Sequence, residues 1–145
     1  MRVTSITSGL IVASLFAFAC SSSSPTPTIT ITSPANGATV AAGTDAMKSV
    51  PVAFTLTNFT LAAPGPNEPG VGHIHVLVDG AACTPAAAPY DNADVSASPA
   101  TAQLSTCPAV AGPHTITLEL HNNDHSAVTD SSGNIVAAKV SITAQ

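Results

Sequence analysis

Residues 72–79 read Gly-His-Ile-His-Val-Leu-Val-Asp, a stretch in which aliphatic and polar side chains mostly alternate. Alternation with a period of two predicts a β-strand with two different faces. The face that we expect in the core carries three aliphatic side chains, Ile74, Val76 and Val78. The opposite face carries His73 and His75, and we expect it to point to solvent.

A second alternating stretch, residues 114–121, reads His-Thr-Ile-Thr-Leu-Glu-Leu-His. Antiparallel pairing of the two stretches would set the start of one beside the end of the other. His73 and His75 would then lie near Glu119 and His121, and the loop after the second strand would bring His125 back over the same spot. His114 would fall at the opposite end, beside Asp79.

The rest of the chain predicts an all-β fold. Further strand signals cover residues 28–32, 50–61, 102–104 and 134–143, with Pro- and Gly-rich turns between them. No segment has a sustained helical period with capping residues. We therefore expect one domain over residues 28–145, an antiparallel β-sandwich of the immunoglobulin-like kind.

The N-terminus predicts export. Residues 1–19 begin with Met1-Arg2, continue with an apolar segment and end on the small-x-small pattern Ala17-Phe18-Ala19, as in a secretory signal. Cys20 follows, and residues 20–27 form a Ser, Pro and Thr tether. This order resembles a bacterial lipoprotein, and the resemblance implies cleavage before Cys20, lipid on Cys20 and anchoring of an exported domain to a cell-envelope membrane. The alternative is an ordinary secretory signal and a soluble product.

The chain has three cysteines, and an exported protein seldom leaves a thiol free. If Cys20 carries lipid, Cys83 and Cys107 remain as a disulfide pair. The closed loop of about 25 residues would contribute on the order of 3 kcal/mol of stability in the chain-entropy model.

The charge balance excludes some classes of partner. Three Lys and Arg residues stand against eight Asp and Glu residues. Nucleic-acid binding needs a basic surface, so we expect none. Polybasic attachment to a membrane is excluded for the same reason, which leaves the lipid on Cys20 as the expected membrane contact.

The clustered histidines predict a metal site. Two histidines at positions i and i+2 of a strand lie about 6.5–7 Å apart in Cα, so both rings can reach one ion. We expect His73, His75, His121 and His125 to bind one transition ion, copper or zinc, since both accept neutral imidazole ligands. A neighbouring carboxylate can add a ligand or orient one. His114 is expected to be a structural residue.

At these residues the chain resembles a small bacterial periplasmic domain family of unknown function. The resemblance rests on residues 72–79, on Gly112-Pro113-His114-Thr115 and on Asp124-His125, which match strands of the GHHHLLID and GKHTL types and a later histidine. It implies an exported β-sandwich and shared histidines at positions 73, 75, 114 and 125. It implies no known activity, and Ile74 stands where the family often has a third histidine.

Two functions remain open from the sequence. The first is a membrane-tethered domain that binds copper or zinc. The second is a non-catalytic interaction or structural module that contacts an envelope protein or glycan without metal. We do not expect an enzyme, because no nucleophile motif or Ser-His-Asp arrangement is present.

Overall fold

The computed structural model describes residues 25–80, 82–84 and 95–145. The predicted signal segment, Cys20 and residues 21–24 of the tether lie outside them. The described residues form eight strands, which are β1 (Thr28–Ser33), β2 (Ala38–Val40), β3 (Ser49–Thr57), β4 (Thr60–Leu61), β5 (Val71–Val78), β6 (Ala100–Gln103), β7 (Gly112–Asn122) and β8 (Ala137–Ala144). None of the described segments is a helix of the length and apolarity that crossing a bilayer requires.

The strands form two sheets that share one hydrophobic core. One sheet has the order β1-β3-β6, and the other has the order β2-β8-β7-β5-β4. Alternate residues of β3, β5, β7 and β8 point into the common core, among them Val52, Val76, Leu118 and Ile142. The all-β prediction is therefore confirmed for the described residues, whereas the immunoglobulin-like arrangement stays a prediction.

The prediction of purely antiparallel pairing is wrong at both edges of the larger sheet. β2 pairs parallel with β8, and β4 pairs parallel with β5. A parallel pair needs a connection that returns the chain to the same end of the sheet. Residues 62–70 make that return between β4 and β5. β2, at three residues, is too short to show alternation in the sequence, and the stretch 50–61 predicted as one strand is divided into β3 and the two-residue β4.

The central pairing of β5 with β7 confirms the register predicted from the sequence. His73 lies opposite His121, and His75 lies opposite Glu119. At the end of the pair that carries His73, His75 and His121, here called the histidine end, the strands approach closely because Gly72 has no side chain. A Cβ atom there would lie 2.0 Å from the carbonyl oxygen of His121 and 2.9 Å from the Phe59 ring.

The prediction that His73 and His75 face solvent is wrong. His73 is 0% exposed and His75 is 5% exposed, so β5 is buried on both faces over this length. The covering groups include other imidazoles. The ring centroid of His121 lies 3.7 Å from that of His75, and the centroid of His125 lies 4.7 Å from that of His73. Residues distant in sequence thus cover a face that strand alternation alone assigns to water.

Candidate metal centre

Three ring nitrogens converge at one end of the β5–β7 pair. His73 Nε2 lies 3.1 Å from His75 Nε2, and His75 Nε2 lies 3.3 Å from His125 Nδ1. The ligand atoms of these three residues all lie within 4.8 Å of one another. Two of the ligands stand on β5 at positions i and i+2, where the strand pleat sends both to the same face. The group is therefore able to hold one metal ion.

The third ligand comes from the hairpin loop that follows β7. The loop residues are Asn123, Asp124 and His125, closed by hydrogen bonds from His125 N to Asn122 O (3.0 Å) and from Asn122 N to Ser126 O (2.8 Å). This is the three-residue hairpin in which a β-turn is followed by a residue in the left-handed region. The chain returns along the edge of β7 on the β8 side, where Ala127 pairs with His121, and the His125 side chain reaches His73 and His75.

His125 occupies that left-handed position with a φ of 66°. Glycine is the usual residue at such a position, and a side chain there costs on the order of 1 kcal/mol or more. The loop thus holds a histidine where glycine would be more stable. Backbone strain of this kind often marks a functional residue.

Neighbouring polar groups fix the hairpin in place. The buried Asn123 side chain donates a hydrogen bond to Pro66 O (3.0 Å), and Asn67 Nδ2 donates to Asp124 Oδ2 (3.0 Å). The Ser126 hydroxyl and backbone N–H both donate to Asp124 and hold the pKa of that carboxyl below its usual value. Asp124 is therefore ionised at neutral pH, and the turn that carries His125 keeps its hydrogen bonds.

The structure does not bring His121 into the group of converging nitrogens. Its ring stacks on His75 with an interplanar angle of 20°, and its Nδ1 donates a hydrogen bond to the carbonyl oxygen of His125 (2.9 Å). Its Nε2 lies 3.5 Å from Glu119 Oε2. His121 thus contacts two of the three converging residues and positions them, rather than adding a fourth nitrogen.

The opposite end of the β5–β7 pair holds a second group of metal-ligating side chains. His114 Nδ1 lies 2.7 Å from Asp79 Oδ2, as the register predicted, and both lie beside Cys83 and Cys107. The two sulfurs are 2.00 Å apart, at disulfide distance. The group as a whole was not predicted from the sequence. The signal that could have found it is the register, which sets His114 beside Asp79, with Cys83 four residues further along the chain.

Comparison of the chain with protein-family models, with curated proteins and with solved structures found no match. The resemblance to the histidine-motif family accordingly stays a prediction.

Proposed function

We propose that this protein is a transition-metal-binding domain that holds one copper or zinc ion through His73, His75 and His125. The observation that carries the proposal is the convergence of three imidazole nitrogens from a strand and a hairpin. Histidine is the commonest metal ligand among side chains, and neutral imidazole suits both ions.

The distances between the nitrogens fit a shared ion. Zinc–nitrogen bonds of 2.0–2.1 Å in a tetrahedral site set two ligand nitrogens about 3.3–3.4 Å apart, and a right-angled arrangement sets them about 2.9 Å apart. The separations of 3.1 and 3.3 Å in the structure lie within this range. These two separations therefore support one ion shared by the three nitrogens, which all lie within 4.8 Å of one another.

The three ligands differ in their access to solvent. His73 and His75 are buried, whereas His125 is exposed. An ion would reach the buried pair from the side of the hairpin, and three protein ligands leave at least one coordination position open. The open position supports storage or delivery of the ion. A ligand from the molecule that receives the ion would bind at this position before His125 dissociates.

Calorimetry on the purified full chain tests the proposal. Every variant carries Cys20→Ala, which removes the third cysteine as a competing ligand. We expect Zn(II) or Cu(II) to bind with one equivalent, and His75→Ala to weaken binding at least tenfold because it removes the nitrogen that contacts both others. Thr55→Ala, an exposed position on the other sheet, is the control and should bind as the parent does.

Binding weaker than about 100 µM for both ions would end the metal proposal, since two loosely placed surface histidines reach that affinity. An interaction module without metal would then be the better description. Unchanged binding in His75→Ala would equally exclude the site described here, because the ion would have to be elsewhere on the chain.

We also propose that the domain is exported and tethered to a membrane of the cell envelope by lipid on Cys20. The Cys83–Cys107 pair at disulfide distance supports export, because such bonds persist in oxidising compartments. Fractionation of cells that produce wild type and Cys20→Ala tests the tether. The wild type should be found with membranes and the variant should not, and equal membrane association of the two would contradict the proposal.

A further inference from the structure

We propose that Asp79, Cys83, Cys107 and His114 form a second metal site, which is available only when the disulfide is reduced. The ligand would be Zn(II) or another divalent ion that prefers thiolates. This inference does not depend on the histidine centre formed by His73, His75 and His125, because it concerns the other end of the β5–β7 pair and a different set of ligands.

The four side chains come from different parts of the chain and meet at one point. Asp79 follows β5, His114 belongs to β7, and the two cysteines lie in the turns around residues 82–84 and 104–107. One ligand atom from each residue lies within 4.8 Å of all the others. Asp79 is fixed through Oδ1, which accepts a hydrogen bond from Thr115 N (2.7 Å), and its Oδ2 lies 3.5 Å from Cys83 Sγ.

The partners of the two His114 ring nitrogens are compatible with metal binding at Nδ1. Its Nδ1 faces Asp79 Oδ2 at 2.7 Å, and its Nε2 faces the carbonyl oxygen of Val110 at 3.0 Å. Both partners accept hydrogen bonds, but a neutral imidazole carries only one N–H. A metal ion at Nδ1 leaves that proton on Nε2, where it donates to Val110. A backbone carbonyl on the far ring nitrogen is the usual support of a metal-binding histidine.

The donor set indicates the class of ion. Two thiolates, one imidazole and one carboxylate favour zinc, which takes sulfur, nitrogen and oxygen ligands in tetrahedral sites. Cys83 is 0% exposed and His114 is 6% exposed, so water has little access to these two ligands. Asp79 and Cys107 are half-buried, so a reductant and an ion would reach the group from their side.

The reaction that opens the site needs an external dithiol. The dithiol gives two electrons and two protons to the disulfide, the sulfur–sulfur bond breaks, two thiols form and the dithiol becomes a cyclic disulfide. Binding of the ion then releases both thiol protons and any proton held between Asp79 Oδ2 and His114 Nδ1. Exchange with an external disulfide, which takes two electrons from the thiolates and becomes a dithiol, would re-form the Cys83–Cys107 bond and expel the ion. Metal occupancy at this end would thus report the thiol redox state.

Cobalt(II) gives the most direct test, because thiolate ligands produce a charge-transfer absorption that histidine ligands do not. The purified full chain would carry Cys20→Ala and His75→Ala, which removes the third thiol and weakens the histidine centre. After reduction by a dithiol and its removal without air, we expect the thiolate–cobalt band to reach saturation at one equivalent and to be displaced by Zn(II). The oxidised chain should show no band.

The matched variant is His114→Gln, which keeps a polar side chain of similar reach. We expect it to weaken cobalt binding at least tenfold. Absence of the band in the reduced parent would overturn the proposal. So would a His114→Gln protein that binds cobalt as tightly as the parent, because two thiolates alone would then explain the spectrum.

Reduction can itself unfold the domain, so a second measurement is needed. Circular dichroism of the reduced parent is followed during heating with and without Zn(II). We expect Zn(II) to raise the unfolding midpoint, or to restore the β-sheet spectrum if reduction has abolished it, and to do neither in Cys83→Ser/Cys107→Ser. Failure of Zn(II) to stabilise or refold the reduced parent would overturn the proposal. Neither result bears on the histidine centre, which is tested with His75 present.

Discussion

The two ends of the β5–β7 pair carry different chemistry on the same backbone frame. At the histidine end, three imidazole nitrogens converge without a covalent link, and His125 leaves the group open to solvent. At the other end, a disulfide and the Asp79–His114 pair close the group. The first end is suited to bind an ion as it stands, whereas the second must first be reduced.

The difference arises in the segments that follow each strand. β7 continues into a tight hairpin that pairs back along β7, and its residue His125 adds a ligand. β5 continues through Asp79 into a turn whose Cys83 is joined to a residue 24 positions away. The β5–β7 register brings side chains together at both ends of the pair. The loops that follow the strands decide at which end these side chains are accessible to an ion. Substitutions can therefore disturb one end while sparing the other, and four predictions use this.

The largest effect is expected from Gly72→Ala. The added Cβ would lie 2.0 Å from a backbone oxygen of β7, so the two strands must separate at the histidine end. We expect a loss of about 4 kcal/mol of unfolding free energy and loss of metal binding. Denaturant unfolding and calorimetry measure both. Gly65→Ala is the matched control, because its Cβ would meet only one atom, at 3.9 Å, and an equal loss there would contradict the reasoning.

Removal of the disulfide should affect stability but not the histidine end. We expect Cys83→Ser/Cys107→Ser to lower the unfolding free energy by about 3 kcal/mol, because the unfolded chain regains the freedom of the closed loop. Zn(II) affinity of the folded protein should stay within about threefold of the parent value. A parallel loss of affinity under native conditions would show that the two ends are coupled.

His125→Gly should weaken metal binding without lowering the stability of the metal-free protein. Loss of one of three ligands is expected to weaken metal binding at least tenfold, which is about 1.4 kcal/mol. Stability without metal should hold or rise by up to about 1 kcal/mol, because glycine accepts the positive φ of this position. Thermal unfolding with and without Zn(II) separates the two effects. A marked fall in the stability of the metal-free protein would show that His125 supports the fold instead.

The smallest effect is expected from Asp124→Asn, measured through the pH dependence of binding. Folding lowers the pKa of Asp124 from 3.8. The ionised carboxylate therefore stabilises the folded hairpin fully above about pH 3.8, and this stabilisation is lost only as the pH falls through the lower pKa of the folded chain. Between pH 7.5 and 5.5 the hairpin should therefore remain formed. Metal affinity should still fall at least tenfold over that range, because free histidine takes up a proton at about pH 6.5.

Asp124→Asn should follow the same binding curve as the parent, within about twofold. Calorimetry at several pH values measures both curves. A curve for the variant that departs from that of the parent would show that the hairpin, and not the imidazoles, sets the pH dependence.

Several features of the fold and of the candidate centre could be predicted from the sequence. Alternation in residues 72–79 and 114–121 gave both central strands and their register, because a one-residue slip would move every aliphatic side chain out of the core. The edge strand β2 and both parallel pairings were missed. A strand of three residues carries no periodic signal, and the path of the chain between strands decides which strand an edge strand pairs with and in which direction.

The sequence by itself determined which residues of β5 and β7 lie beside one another. The period-two pattern places His73 and His75 on one face of β5, and the register places them beside Glu119 and His121, with Asp79 beside His114. Only the tertiary structure decided what these groups can do. Burial of His73 and His75 depends on rings that come from another strand and a hairpin. The direction of each nitrogen depends on side-chain rotation and, at His125, on a left-handed backbone that strand alternation does not encode.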